Sequence, residues 1–285
     1  MLKDKFAYVK NVIMRQAPWH YRFIKTNRIT SREIKIVGLI RERNESLVLQ
    51  DTLDHISQFV DGVIVYDDDS SDDSAKIAKN HPIVLEVIIN KKWRQDKRIW
   101  EETANRRLLH NRGRKLNPDW FFYFDADERF EGEIKHYLTK DCPENINCIR
   151  ISLFDAYITK DDKKPYLGDS TKLFGFRKFF GPERRDILMI WRNIEKASFI
   201  GLDARQPKGF SRKETEVKFY CQHYGKSLSI EQWEETCDYY ANFFPKYSEK
   251  WLARKGKAVH IMSDFGNTLH NWNKVKERSI NMEDI

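Results

Sequence analysis

The chain has 285 residues, of which 40% are hydrophobic, 13% aromatic and 33% charged, and 51 Lys and Arg against 43 Asp and Glu give a net charge of +8. That aromatic content excludes wholesale disorder, and 12 Gly with 8 Pro exclude a collagen-like or low-complexity chain. No apolar run approaches the roughly 20 residues of a membrane span, the charged start (Lys3, Asp4, Lys5, Lys10) lacks a secretory apolar core, and Cys142, Cys148, Cys221 and Cys237 form no CxxC pair, so a cytoplasmic protein with free thiols is expected.

Residues 1–33 carry eight Lys and Arg against Asp4 and Glu33, interleaved with Phe6, Tyr8, Trp19, Tyr21 and Phe23. This basic segment is expected to be a helical appendage, lying on the rest of the chain or on an anionic membrane surface. Ile34–Ile40 then reads as a buried strand, with Arg41-Glu-Arg-Asn-Glu45 as the polar loop at its carboxyl end. Leu49, Leu53, Ile56 and Phe59 recur at helical spacing and predict a helix over 46–59. Val63–Tyr66 is a second strand, running into Asp67-Asp-Asp-Ser-Ser-Asp-Asp-Ser74, where Ser70 and Asp73 fit a capping pair that would start the next helix.

Ile83–Ile89 is a third strand. Residues 94–111 read as a helix with Arg94, Arg98 and Asn105 on one face and Trp100, Ala104 and Leu108 on the other. Trp120–Phe124 is a fourth strand, ended by Asp125-Ala-Asp-Glu128. Residues 88–115 hold ten Lys and Arg against three acids, a second basic stretch that suits phosphate-bearing partners. Beyond residue 145 the pattern is less regular. Strands are expected at 148–156 and 187–192, and Ile230, Trp233, Cys237, Ala241 and Phe244 mark an amphipathic helix behind a Ser229–Gln232 capping pair.

Strands alternating with helices predict an α/β fold with a mixed, mainly parallel sheet flanked by helices. Ligands of such sheets bind beyond the carboxyl ends of the strands. Here three of those ends carry Arg-Glu-Arg-Asn-Glu, Asp-Asp-Asp-Ser and Asp-Ala-Asp-Glu. Asp125 and Asp127 flank a small residue, so both can reach one hard cation, Mg2+ or Mn2+, whose shell is completed by water and substrate phosphates. Asp67, Asp68 and Asp69 can accept hydrogen bonds from a base or a ribose. An EF-hand loop starting at Asp67 is excluded, since it would need Gly and Glu where Asp72 and Ala78 stand. GxGxxG and GxxxxGK[ST] phosphate loops are absent.

Together, Val37-Gly-Leu-Ile-Arg-Glu-Arg-Asn-Glu45, the acidic run 67–74, Asn105 on the helix before the last turn, and Tyr123-Phe-Asp-Ala-Asp-Glu128 resemble a family 2 glycosyltransferase of the GT-A (Rossmann-like) fold, of bacterial type, across roughly residues 34–130. The resemblance implies a catalytic domain over 34–224 and a helical C-terminal extension over 225–285. It implies that Arg41, Arg43 and Glu45 line the base pocket, that Asp68 contacts the base or ribose, and that Asp125 holds the ribose or metal. Asp127 would ligate Mn2+ or Mg2+ directly, with His223 of Phe219-Tyr-Cys-Gln-His-Tyr-Gly225 as a third ligand; zinc is not expected, because Cys221 and His223 lack a second pair. The helix face suggests Arg98 or Arg94 for the diphosphate.

The implied reaction moves a hexosyl or related sugar, with inversion, from a nucleotide-sugar donor to a hydroxyl of a glycan or glycolipid in surface polysaccharide synthesis. Its base is expected well after the second acidic turn, where Ala204 and Arg205 stand in place of a His-Glu pair. Asp203 is the nearest carboxylate, followed by Asp155, with Glu183 and Asp186 as further alternatives. Two rival readings are a haloacid-dehalogenase-type phosphatase, which would want Thr or Val where Arg129 stands, and a non-catalytic polyanion binder. Nucleic acid is not expected as a partner, because the acidic strand ends would repel its backbone.

Overall fold

The computed structural model describes residues 20–26, 33–93, 98–168, 170–202, 204–244 and 247–282, with backbone alone for 98–100. Two compact units divide the chain. The first comprises Met1–Leu53, Val60–Ala126 and Arg192–Gly209, the second Asp54–Phe59, Asp127–Trp191 and Phe210–Ile285.

The first unit carries strands β1 (Tyr21–Lys25), β2 (Ile36–Glu42), β3 (Gly62–Asp67), β4 (Val84–Asn90) and β5 (Trp120–Phe124), in the order β1-β4-β3-β2-β5. β2 to β5 pair in parallel, as the alternation predicts. Their apolar runs are buried almost without interruption, which is the pattern of a parallel sheet covered on both faces. Helices α1 (Ser46–Ile56), α2 (Ser74–Asn80) and α3 (Arg98–Arg114) make the crossovers.

The described part of the N-terminal segment corrects the helical expectation. Tyr21–Lys25 is a strand, antiparallel to β4. It covers an edge whose backbone groups would otherwise be unpaired. Tyr21 meets Tyr66 edge-on at 6.1 Å, and the Arg112 guanidinium lies 4.7 Å from the Phe23 ring centroid. Residues 1–19 lie outside the described residues.

α3 also departs from its expected face. Ala104 and Leu108 are half-exposed, while Glu101, Glu102, Thr103, Asn105, Arg106, Leu109 and His110 are buried. The helix therefore turns a mostly polar face inward, which is affordable only where those groups find partners.

The second unit holds β6 (Glu128–Glu131), β7 (Cys148–Tyr157), β8 (Phe179–Arg192) and β9 (Thr215–His223), in the order β8-β7-β9-β6, with β10 (Ile280–Asn281) beside β8. β7 is antiparallel to β8 and parallel to β9, and β6 is antiparallel to β9. α4 (Ile134–His136) is a single turn, and α5 (Ile230–Phe243), α6 (Ser248–Leu252) and α7 (Trp272–Glu277) follow β9. The Ser229 side chain accepts from the Gln232 amide at 3.0 Å, so the expected cap of α5 is present. Trp233, Cys237 and Ala258 pack with Trp251 into a small core. All four cysteines are free thiols, and among the described residues no helix is long and apolar enough to cross a membrane.

One close approach fixes α3 against the sheet. A Cβ on Gly113 would stand 2.7 Å from Phe121 Cε1 and 3.2 Å from Leu39 Cδ2. Gly→Ala inside a helix ordinarily stabilises by about 1 kcal/mol, but overpacking costs about 1–3 kcal/mol. Gly113→Ala is therefore expected to destabilise the protein by about 1 kcal/mol. Urea unfolding checks the sign, and a stabilised variant would contradict this packing.

Candidate nucleotide and cation site

Parallel pairing brings three of the predicted polar turns to one edge of the first unit. β2 lies between β3 and β5, with Glu42 opposite Asp67 and Ile40 opposite Phe124. Glu42, Asp67 and Asp68 are all buried there. Like charges in low dielectric are costly, so each must be neutralised or paired. Burial and the adjacent Asp67 carboxylate push Glu42 well above the usual carboxylate range. The Asn90 side-chain amide donates to Asp68 Oδ1 at 2.8 Å.

Arg41 serves the same end. It pairs with Glu102 of α3, which also takes Arg106 Nη1 at 2.8 Å, and Arg106 Nε donates to the Tyr123 hydroxyl at 3.1 Å. Burial works against the Arg41 charge, but Glu102 and Asp68 outweigh it and raise its pKa. Arg41 is thus an internal counter-ion to the acids, which differs from the base-lining role the resemblance implies. Arg43 does face the edge, its guanidinium 4.1 Å from the Trp93 ring centroid. The Trp93 backbone N–H donates to Asp69 Oδ2 at 3.0 Å.

Much of the acidic run is structural. Asp72 Oδ2 accepts from the Ser46 amide and Oδ1 from the Ser74 amide, both at 3.0 Å, so one carboxylate caps the starts of α1 and α2. Desolvation opposes its charge, but the bonds from Ser74 and Ser46 outweigh that and lower its pKa. The Ser70–Asp73 capping pair is not formed. Asp73 sits at the cap position without a side-chain cap bond, and Ser70 Oγ instead accepts from the Asn44 amide at 3.0 Å. The Glu45 amide donates to Ser74 Oγ at 2.8 Å, which fixes the loop bearing this predicted base-pocket residue.

Asp125 closes β5 and is paired with Arg205 at 3.0 Å. The Ala204 amide donates to Thr103 Oγ1 of α3 at 2.8 Å, and Arg107 holds the Phe199 carbonyl at 2.7 Å. The segment searched for a base thus delivers a cation to the edge. Asp203 lies outside the described residues, as do Arg94 and the side chain of Arg98. Two buried donors of this unit, Asn105 Nδ2 on α3 and Arg43 Nε on the loop after β2, have no hydrogen-bond partner. Native proteins rarely leave buried donors unpaired, so the edge fits a ligand rich in acceptor oxygens.

Two of the residues expected to hold a cation, Asp127 and His223, lie in the second unit, whereas Asp125 lies in the first. β6 starts one residue after Asp127 and pairs with β9 so that Glu128 stands opposite His223. The Tyr224 amide donates to the Asp127 carbonyl at 2.9 Å. This register brings His223 Nε2 to 3.3 Å from Asp127 Oδ2. The other ring nitrogen, Nδ1, is 2.6 Å from Asp155 Oδ1. A Cβ on Gly225 would stand 2.6 Å from Asp127 Oδ2 and 2.9 Å from His223 Nε2, so glycine keeps the space beside both atoms open. One carboxylate oxygen and one imidazole nitrogen suit Mn2+ or Mg2+. Among the described residues no group of three or more His, Cys, Asp or Glu gathers as a metal site, so a cation on Asp127 and His223 would complete its shell from water and phosphate oxygens.

Asp155 does not have the character of a base. Its carboxylate meets Arg185 at 2.6 Å, Lys226 at 3.0 Å and His223 at 2.6 Å. Burial works against its charge, but Lys226, Arg185 and His223 outweigh that and hold it well below the usual carboxylate range. Of the further alternatives, Asp186 is tied to Ser152 and Arg184, and Glu183 to Ser263 and Asn267. Arg185 and Lys226 are not singled out by the sequence, and Arg205 is named there without a role, because nothing local connects them to acids elsewhere in the chain.

No family model matches the chain. A stretch of 105 residues is 35% identical to an uncharacterised protein of Mycobacterium tuberculosis and, equally, to one of Mycobacterium bovis, covering 35% of this chain and 25% of each relative. The chain thus spans about a quarter of the length of these curated relatives. Among solved structures, the chain is similar to the mannosyltransferase PcManGT from Pyrobaculum calidifontis in complex with GDP-Man and Mn2+, with a TM-score of 0.39 and 13% identity over 89% of this chain and 72% of that one. It is also similar to glucosyl-3-phosphoglycerate synthase from Mycobacterium tuberculosis in complex with phosphoglyceric acid, with a TM-score of 0.37 and 15% identity over 84% of this chain and 87% of that one. Likeness at this level carries no activity across to this chain.

Burial disfavours the His223 cation, but Asp127 and Asp155 outweigh it and raise the pKa from 6.5 to about 10. A pKa raised on folding adds stability that is fully present below the unfolded value and is lost as pH rises through the folded one. In metal-free protein this contribution should be complete below pH 6.5 and vanish by about pH 10. Urea unfolding across that interval should show the decline in wild type and a flatter profile in His223→Gln; equal slopes would contradict the ion pairing.

Proposed function

We propose that the chain is a divalent-cation-dependent glycosyltransferase of the GT-A type, family 2, which moves a hexosyl or related sugar from a nucleotide-sugar donor to a hydroxyl of a glycan or glycolipid. The observation that carries this reading is the convergence of acids at the carboxyl ends of three adjacent parallel strands, buried on β2 and β3 and half-buried but paired with Arg205 after β5. The motif resemblance supports the acceptor class, the inverting course and a role in surface polysaccharide synthesis.

In the first unit, Asp68 would accept from the base or ribose, with Arg43 and Glu45 on the adjoining loop. Asn105 Nδ2 would donate to the ligand's oxygens. Asp125 would hold the ribose or the metal, and Arg205 and Arg98 would meet the diphosphate. In the second unit, Asp127 and His223 would hold Mn2+ or Mg2+. A divalent cation supplies positive charge to the diphosphate as it leaves.

In the transfer, the bond from the anomeric carbon to the diphosphate oxygen breaks and the acceptor oxygen bonds to that carbon. The acceptor's hydroxyl proton passes to a carboxylate base. Asp203 is the carboxylate proposed for this task. Its neighbour Ala204 is tied to α3, and Arg205 to Asp125.

Release of nucleoside diphosphate from a panel of UDP-, GDP- and dTDP-sugars tests the reading. Release should need Mn2+ or Mg2+, and Asp125→Asn and Asp127→Asn should each lower it about a hundredfold or more without losing the fold. Release that ignores the cation, or that survives Asp127→Asn unchanged, would sink the reading. Aspartyl-phosphate trapping by fluoroberyllate would point instead to a phosphatase.

A further inference from the structure

We infer that Asp155 is a positioning residue for His223: it keeps the imidazole proton on Nδ1 and thereby turns the Nε2 lone pair toward the side of Asp127. The inference rests on the reading of Asp127 and His223 as cation ligands, and goes beyond it by assigning the group that sets the ligand's tautomer. A neutral imidazole has one N–H and one lone pair, and an ionised carboxylate can only accept. Without a cation both ring nitrogens face carboxylates, Asp155 Oδ1 at 2.6 Å from Nδ1 and Asp127 Oδ2 at 3.3 Å from Nε2. A cation beside Asp127 would displace the Nε2 proton, and the shorter Asp155 contact would keep the remaining one on Nδ1.

Asp155 can impose this because it is itself fixed. Arg185 Nη2 donates to Oδ1 at 2.6 Å, and Lys226 Nζ lies 3.0 Å from Oδ2. Lys226 is held in turn by Asp264 at 2.6 Å and by the Tyr157 hydroxyl at 3.2 Å. Asp264 takes Arg254 at 2.9 Å, and its amide donates to the Tyr157 hydroxyl at 3.1 Å. These groups come from β7, β8, the turn after β9 and the segments after α6. No single rotation frees the Asp155 carboxylate. A carboxylate that already receives three charged or ring N–H donors has little use as a proton acceptor, so the network accounts for the charge on Asp155 without a base role.

The experiment measures Mn2+ binding by electron paramagnetic resonance, and the His223 tautomer by two-bond 15N correlation in Mg2+-loaded protein. Wild type should show the Nδ1–H tautomer. Asp155→Asn should keep its fold and its cation-free nucleotide binding but weaken Mn2+ binding by about 10–100-fold, with partial rescue in Asp155→Glu. Mn2+ binding that Asp127→Asn abolishes but Asp155→Asn leaves within about twofold of wild type would overturn the inference alone. The Nε2–H tautomer in wild type would also overturn it, and that readout needs no variant to fold. A wild type that binds no Mn2+ would overturn the cation-site reading and the inference with it.

Discussion

The acids at the ends of β2 and β3 are buried side by side close to the charge of Arg41, which is held by Glu102 and felt by Asp68. Glu42, Asp67 and Asp68 would repel one another in the interior, and three unpaired carboxylates there would be prohibitive. The raised pKa of Glu42, the Asn90 amide on Asp68 and the Arg41–Glu102–Arg106 ion group all act against that repulsion. The polar inner face of α3 follows from the same constraint. Glu102 and Arg106 are buried because they balance and orient Arg41, and Tyr123 at the end of β5 completes the group. Removing one partner from such a group typically costs about 3–5 kcal/mol, since it strands the others. Keeping these charged groups buried costs free energy that a surface cap would not require.

The second unit solves a similar problem with a chain of alternating charges. From Asp127 through His223, Asp155, Lys226 and Asp264 to Arg254, each group has neighbours of opposite sign. Such a chain orders its members strongly, because each carries hydrogen bonds that fix the next. A cation at Asp127 and His223 would therefore meet ligands whose orientation is already set. Gly225 keeps the approach open where any other side chain would fill it.

The four parallel strands were legible in the sequence because a strand buried on both faces reads as a continuous apolar run, and its end is marked where the charges begin. Asp125 and Asp127 stood out for the same reason. The position of His223 beside Asp127 was not legible from spacing, since it depends on the register of β6 on β9, two strands far apart in the chain. Asp155 was noticed as an acid but nominated as a base, because the cations that hold it, Arg185 and Lys226, come from β8 and the turn after β9. The role of Arg205 is not legible from its position after Ala204, because its partner Asp125 lies 80 residues earlier in the chain. The capping reading of Ser70 and Asp73 failed because Asp72 reaches two helix starts at once, a long-range bond that local pattern does not encode. β1 failed for a related reason: a basic, aromatic segment suits a helix locally, and only the open edge of β4 makes it a strand.

The most direct test of the central claim, that the chain binds a nucleotide with the help of a divalent cation, is the melting temperature of the wild-type protein against a panel of nucleoside diphosphates with and without Mn2+. Selective binding to the folded state raises the melting temperature by mass action. The account predicts a rise for one class of nucleotide, strengthened by Mn2+ and lost in Asp127→Ala. An unchanged melting temperature across the whole panel would contradict it and would leave the acidic turns as structural caps.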